Sequence, residues 1–117
     1  MAFSSYLIAD FVLSEANSQF APLFKPSEER LDVFKQYCSV VDKLVEEFGG
    51  TTLEVEVNDE DMSVHMKLEL EELVVDDRER GMFTQLLERT VSFRVEHGDG
   101  DTILLHFVFP SLWEKAV

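Results

Sequence analysis

The sequence predicts an α+β fold: an antiparallel sheet of about four strands, built from two hairpins, with helices on one face and a helix–hairpin–helix–hairpin order. Three observations predict it. Between Ser27 and Phe48 apolar residues recur at intervals of three and four, the period of a helix. Residues 52–70 and 91–109 instead alternate apolar with polar around turn-forming residues, the period of a strand. A second helical pattern, Asp77 to Thr90, separates the two. With 117 residues and ten phenylalanines the chain can fill one core and has no room for a second, so residues 1–117 read as a single domain.

Within residues 1–26, Phe3, Leu7 and Phe11, with Tyr6, Leu13 and Phe20, fit a helix that stops before Pro22. The run Tyr6 to Leu13 fits a strand as well, so this segment stays open between the two. The next helix opens at Pro26-Ser27, with Glu28 and Glu29 where the helix dipole favours acids. Its buried stripe is Leu31, Phe34, Cys38, Val41, Val45 and Phe48, and Gly49-Gly50 closes it. Cys38 therefore reads as a small core hydrophobe rather than a reactive thiol.

In the first hairpin Leu53, Val55 and Val57 alternate with Thr52, Glu54 and Glu56. Met62, Val64, Met66, Leu68 and Leu70 alternate with Ser63, His65, Lys67 and Glu69. Pairing Val57 with Met62 across the loop 58–61 keeps both apolar sets inward, with Glu54 opposite His65 and Thr52 opposite Lys67. The second helix carries a capping box, Asp76 with Glu79, and buries Met82, Phe83, Leu86, Leu87 and Thr90, although Gly81 weakens it. In the last hairpin a three-residue loop, Gly98-Asp99-Gly100, pairs Val95 with Ile103 and Phe93 with Leu105.

The chain holds 24 acidic and 10 basic residues, a formal charge of −14. From Glu54 to Glu79 eleven carboxylates face only Lys67 and Arg78. Such a surface repels phosphate and anionic lipid, so neither a nucleic acid nor a membrane is expected as partner. A basic protein is, with Glu54, Glu56, Asp59, Glu60 and Asp61 as the acidic face it would meet. No stretch approaches the ~20 apolar residues of a membrane helix. Tyr6 to Leu13 is interrupted by Asp10 and preceded by no basic residue, unlike a signal peptide. A lone cysteine fits a reducing compartment, so a cytoplasmic location is expected.

No motif names a catalytic, cofactor or metal residue, and no cofactor is expected. In Gly98-Asp99-Gly100-Asp101 a strand follows where a phosphate loop needs a helix, so a plain turn is expected. His65, His97 and His106 lack the short spacing of a zinc site. No serine sits in a nucleophile elbow, and no glycine-rich dinucleotide fingerprint occurs. One feature stands out: Leu104 and Val108 take the outward parity of the last strand, and Leu112 and Trp113 follow closely. These four form either a self-association surface or a patch covered by the N-terminal segment.

The reading is a non-catalytic interaction domain, dimeric, that presents an acidic face to a basic partner. In size, acidity and element order it is similar to the small dimeric chaperones of secreted proteins, a likeness of architecture that no motif carries. The alternative is a small enzyme or metal-dependent domain with a site between the sheet and the N-terminal segment. Mimicry of DNA by the acidic hairpin is a third reading.

Overall fold

The computed structural model describes residues 5–116, apart from the side chains of Thr52 and Leu53. Helix α1 (Ser5–Phe20), strand β1 (Phe24–Pro26) and helix α2 (Glu28–Phe48) lead into strands β2 (Gly50–Val57) and β3 (Val64–Leu70). Helix α3 (Asp77–Leu87), strands β4 (Ser92–His97) and β5 (Ile103–Phe109) and the short β6 (Trp113–Lys115) complete the chain. The main sheet is antiparallel in the order β2-β3-β5-β4, and β1 pairs with β6 in a separate ribbon.

Helix α2 forms as its sequence dictates. The Ser27 side chain accepts from the Arg30 amide, and Gly49 ends the helix in the left-handed region at φ 62°. Its buried face is wider than one stripe, because Tyr37, Val40 and Leu44 join Phe34, Cys38, Val41, Val45 and Phe48. Burial pushes the Cys38 thiol up to about 12, so it stays protonated and unreactive.

Ser5–Phe20 of the N-terminal segment form a helix, which turns Leu13, Tyr6 and Phe20 of the predicted set toward the core but not Leu7 or Phe11. Phe3 lies outside the described residues. Ser5, Ala9, Leu13 and Ala16 are buried, while Leu7 and Phe11 are 72% and 68% exposed. Small residues let α1 lie close on α2, and Ser5 locks the approach: its amide donates to Asp42 Oδ1 (2.7 Å) and its hydroxyl to the Cys38 carbonyl (3.1 Å).

From Glu54 onward both hairpins keep their predicted faces, and both change their register. Val57 pairs with Val64, Glu56 with His65 and Glu54 with Lys67, not Val57 with Met62 or Glu54 with His65. A slip between Thr52 and Glu54 then sets Thr52 opposite Leu68 rather than Lys67. The cause lies in the loop. Asn58 Oδ1 accepts from the Glu60 and Asp61 amides, Met62 sits at φ 59°, and Asn58 N–H closes on the Ser63 carbonyl (2.9 Å). In the last hairpin Val95 pairs with Leu105 and Phe93 with Phe107, not with Ile103 and Leu105. The three-residue loop sits one residue further on, at 99–101, because Gly98 N–H bonds the Thr102 carbonyl (3.0 Å). That register stacks Phe93 on Phe107 at 4.9 Å and sets Phe83 at 6.3 Å from Phe93.

Helix α3 has the expected capping box and ends at Leu87, short of Thr90, whose hydroxyl caps the Leu87 carbonyl. The helices lie on one face of the sheet, where Val55, Val64, Met66, Leu68, Leu70, Leu105, Phe107 and Phe109 are buried. The other face is open: its central residues His65, Lys67, Leu104, His106 and Val108 are half-buried, and Glu56, Arg94 and Glu96 at its margins are exposed.

Candidate functional site

Two places gather chemistry, the open face of the sheet with its acidic loop and a cleft on the helix side. At the loop, Asp59 accepts a hydrogen bond from Gln19 (2.9 Å), and Asp61 Oδ1 accepts from both the amide and the hydroxyl of Ser63 (2.9 and 2.6 Å). Those Ser63 bonds, side chain first, hold the Asp61 carboxyl below its usual range. Glu54 pairs with Lys67 at 2.9 Å, and hydrogen bonding to Glu54 raises the Lys67 ammonium above its ordinary value. Glu56 and Glu60 are exposed, and neither they, Asp59 nor Asp61 has an ion pair with Lys or Arg among the described residues.

Behind the loop runs a line of polar groups that the sequence reading did not find. Ser63 Oγ lies 3.1 Å from His65 Nε2, and His65 Nδ1 lies 3.0 Å from His106 Nε2. The register makes the two histidines diagonal neighbours, since His65 pairs with Val108 and Lys67 with His106. Their outward parity was legible; that β3 lies beside β5 was not.

For two neutral rings the hydrogen-bond directions follow from the proton count. Ser63 has one hydroxyl proton and gives it to Asp61, so His65 Nε2 must donate to Ser63. His65 Nδ1 then accepts from His106 Nε2–H. This is not a nucleophilic triad, in which the histidine stands between carboxylate and serine. Here the serine stands between them and its proton faces the carboxylate.

Burial lowers the basicity of His106, helped by His65, Lys67 and Arg94 and opposed by Glu96. A histidine more basic unfolded than folded stabilises the native state above the unfolded value of ~6.5, and that contribution is lost as pH falls from there through the lower folded value. Urea midpoints measured from pH 7.5 to 5 are therefore expected to fall more steeply in wild type than in His106→Asn. Parallel curves would show that the pair does not sense the proton.

The cleft, of about 460 Å³, lies on the helix side, away from the histidines. Val33, Phe34 and Tyr37 of α2 face Phe109 and Leu112 across it, with Arg30 and Arg89 also lining it. Arg30 Nη1 donates to the Trp113 carbonyl at 2.8 Å. Arg89 has no ion pair, and the hydroxyl of the buried Tyr37 no hydrogen bond, among the described residues. Glu29 lines the cleft beside the two arginines, so volume and lining suit a small ligand with an apolar body and a polar head. The smaller pocket beside α1, about 50 Å³ between Tyr6, Asp10 and Trp113, has room for little more than water.

The residues predicted for self-association do not act together. Leu112 and Trp113 are buried in the protein's own core, 5% and 3% exposed. Trp113 Nε1 donates to Asn17 (2.7 Å) and the ring meets Phe20 edge-on at 5.1 Å. Leu104 and Val108 are half-buried on the open face, Leu104 between Glu69 and Glu96, and Val108 between His65 and Ser92. The N-terminal segment packs against α2, β1 and β2 rather than over them.

No helix among the described residues is long and apolar enough to cross a membrane. Among the same residues no group of three or more His, Cys, Asp or Glu converges as a metal site. No protein family, curated protein or solved structure matches this chain.

Proposed function

We propose that this chain is a non-catalytic interaction domain, adaptor- or chaperone-like, that offers its acidic β2–β3 hairpin to a basic protein partner in the cytoplasm. One observation carries the reading. Glu56 at the end of β2 and Asp59, Glu60 and Asp61 on the loop stand without a Lys or Arg partner among the described residues, and Asn58, Ser63 and Gln19 hold that loop. A preorganised acidic loop steers a basic partner and loses little entropy on docking. Nucleic acid and anionic membrane are disfavoured by the same charge.

The test is titration with a Lys/Arg-rich peptide, followed by amide chemical shifts. Shifts are expected at 56–61, with affinity falling as salt rises. Glu56→Gln/Asp59→Asn/Glu60→Gln is expected to weaken binding about tenfold or more. A control of equal charge, Glu15→Gln/Asp32→Asn/Glu46→Gln, should weaken it less. Equal losses in the two triple variants would reduce the effect to net charge and remove the hairpin as a site.

The second reading, a small enzyme or ligand-dependent domain, is favoured by the cleft with its unpartnered Tyr37 rather than by the seam beside α1. Shifts that map to Val33, Tyr37 and Arg89 would support it.

A further inference from the structure

We propose that the free edge of β4 is a self-association surface, which joins two copies of this chain into one continuous eight-stranded sheet. Among the described residues strand β4 pairs only with β5. Gly98 N–H bonds the Thr102 carbonyl, so by antiparallel alternation Glu96, Arg94 and Ser92 also turn their N–H and C=O groups toward β5. Phe93, Val95 and His97 turn theirs to the open edge. Val95 is 58% exposed and Val91, just before the strand, 70%.

The other edge is defended. Strand β2 has its register slip, carries Glu54 and Glu56, and lies against α1. Strand β4 has neither proline nor lysine and keeps one unbroken register along its length. A strand of this kind accepts another strand.

Its own sequence selects a second copy as that strand. Antiparallel pairing about a two-fold axis at Val95 sets Arg94 opposite the partner's Glu96, and Glu96 opposite the partner's Arg94. Val95 then meets the partner's Val95, and Phe93 faces the partner's His97. Moving the axis one residue either way places Arg94 against the partner's Arg94, or Glu96 against the partner's Glu96. A half-residue shift sets outward backbone groups against inward ones and forms no ladder. The register with two ion pairs is thus the self-complementary one.

Net charge opposes any dimer of this chain, and this geometry minimises the opposition. In the order β2-β3-β5-β4-β4-β5-β3-β2 the acidic hairpins occupy the two far ends. Seven spacings of ~4.8 Å separate the outer strands by roughly 33 Å, several times the ~8 Å screening length at physiological salt.

This inference names the surface for the dimer of the interaction-domain reading, and its readout is separate from partner binding. Sedimentation velocity across micromolar concentrations is expected to show a dimer for wild type. Arg94→Glu and Glu96→Arg should each weaken it about tenfold to a hundredfold, through two like-charged pairs. The double reversal Arg94→Glu/Glu96→Arg should restore it. All these positions are exposed, so the variants are expected to fold, as circular dichroism would show; Val95→Asp, which sets two carboxylates on the axis, provides an independent disruption.

A monomeric wild type overturns the proposal, as does a dimer that survives both single reversals or a double reversal that fails to rescue. So does a dimer abolished by Phe11→Glu but not by Arg94→Glu, which would move the contact to the exposed stripe of α1. Peptide binding measured on monomeric Arg94→Glu keeps the acidic hairpin under its own test.

Discussion

Trp113→Ala is expected to lower stability by about 3–5 kcal/mol, out of the ~5–15 kcal/mol that holds a small domain together. Its ring is 3% exposed, meets Phe20 edge-on and gives its one N–H to Asn17. Its carbonyl accepts from Arg30, and its backbone pairs with Pro26 to close the β1–β6 ribbon. Truncation therefore opens a cavity at the junction of α1, α2 and the C-terminal strand, and leaves the Asn17 side chain short of a donor. Asn17→Ala opens a smaller gap but leaves the buried Trp113 N–H without its acceptor, and should cost about 1–3 kcal/mol. Thermal melts by far-UV circular dichroism should place Trp113→Ala roughly 10–25 °C below wild type, with Asn17→Ala in between. A Trp113→Ala protein that melts with wild type but changes its assembly would return this residue to the self-association surface where the sequence placed it.

That reversal shows what a single sequence could and could not convey. Trp113 looked exposed because it follows Pro110 at the end of the last long strand, where no periodicity remains to say which side is wet. Its burial depends on a three-residue strand, Phe24–Pro26, too short to show a period of two. Helix α2 was legible for the opposite reason: twenty-one residues repeat one apolar pattern between Ser27 and Gly49, each suited to its cap. Faces were legible in both hairpins and registers were not. A slide of two residues leaves every side chain on its own side, and the register was set by Asn58, Met62 and Gly98, which the alternation does not contain. In α1 both sides are apolar, so Leu7 and Phe11 competed with Ala9 and Ala16, and the two alanines took the closer approach beside Leu13, which the sequence had already named. The histidine pair needed one further fact, that β3 and β5 are neighbours. The cleft needed three, since Tyr37, Arg89 and Leu112 come from separate parts of the chain.

The face assignment itself predicts a sharp contrast between two adjacent residues. Leu105 is fully buried and sits between Leu68 and Val95; Leu104 lies on the open face between Glu69 and Glu96. Leu105→Asp must either bury a carboxylate without a partner or protonate it, and in both cases the apolar contact is lost. The expected cost is about 4–5 kcal/mol or more, a large part of the ~5–15 kcal/mol that holds a small domain together. Leu104→Asp adds a third carboxylate to a row of two, and like charges directly opposite cost only about 0.2–1 kcal/mol each. Because that repulsion is solvated, it should shrink as sodium chloride rises, whereas the Leu105→Asp defect should not. Urea unfolding of the two variants at low and moderate salt measures both effects. Should Leu104→Asp lower the urea midpoint as much as Leu105→Asp does, at any salt, then Leu104 is covered in solution and the open face is not free. With Leu104→Asp folded and recovering in salt, the open face is solvated, and the polar groups on it, Glu56 and His65 among them, are available to a partner.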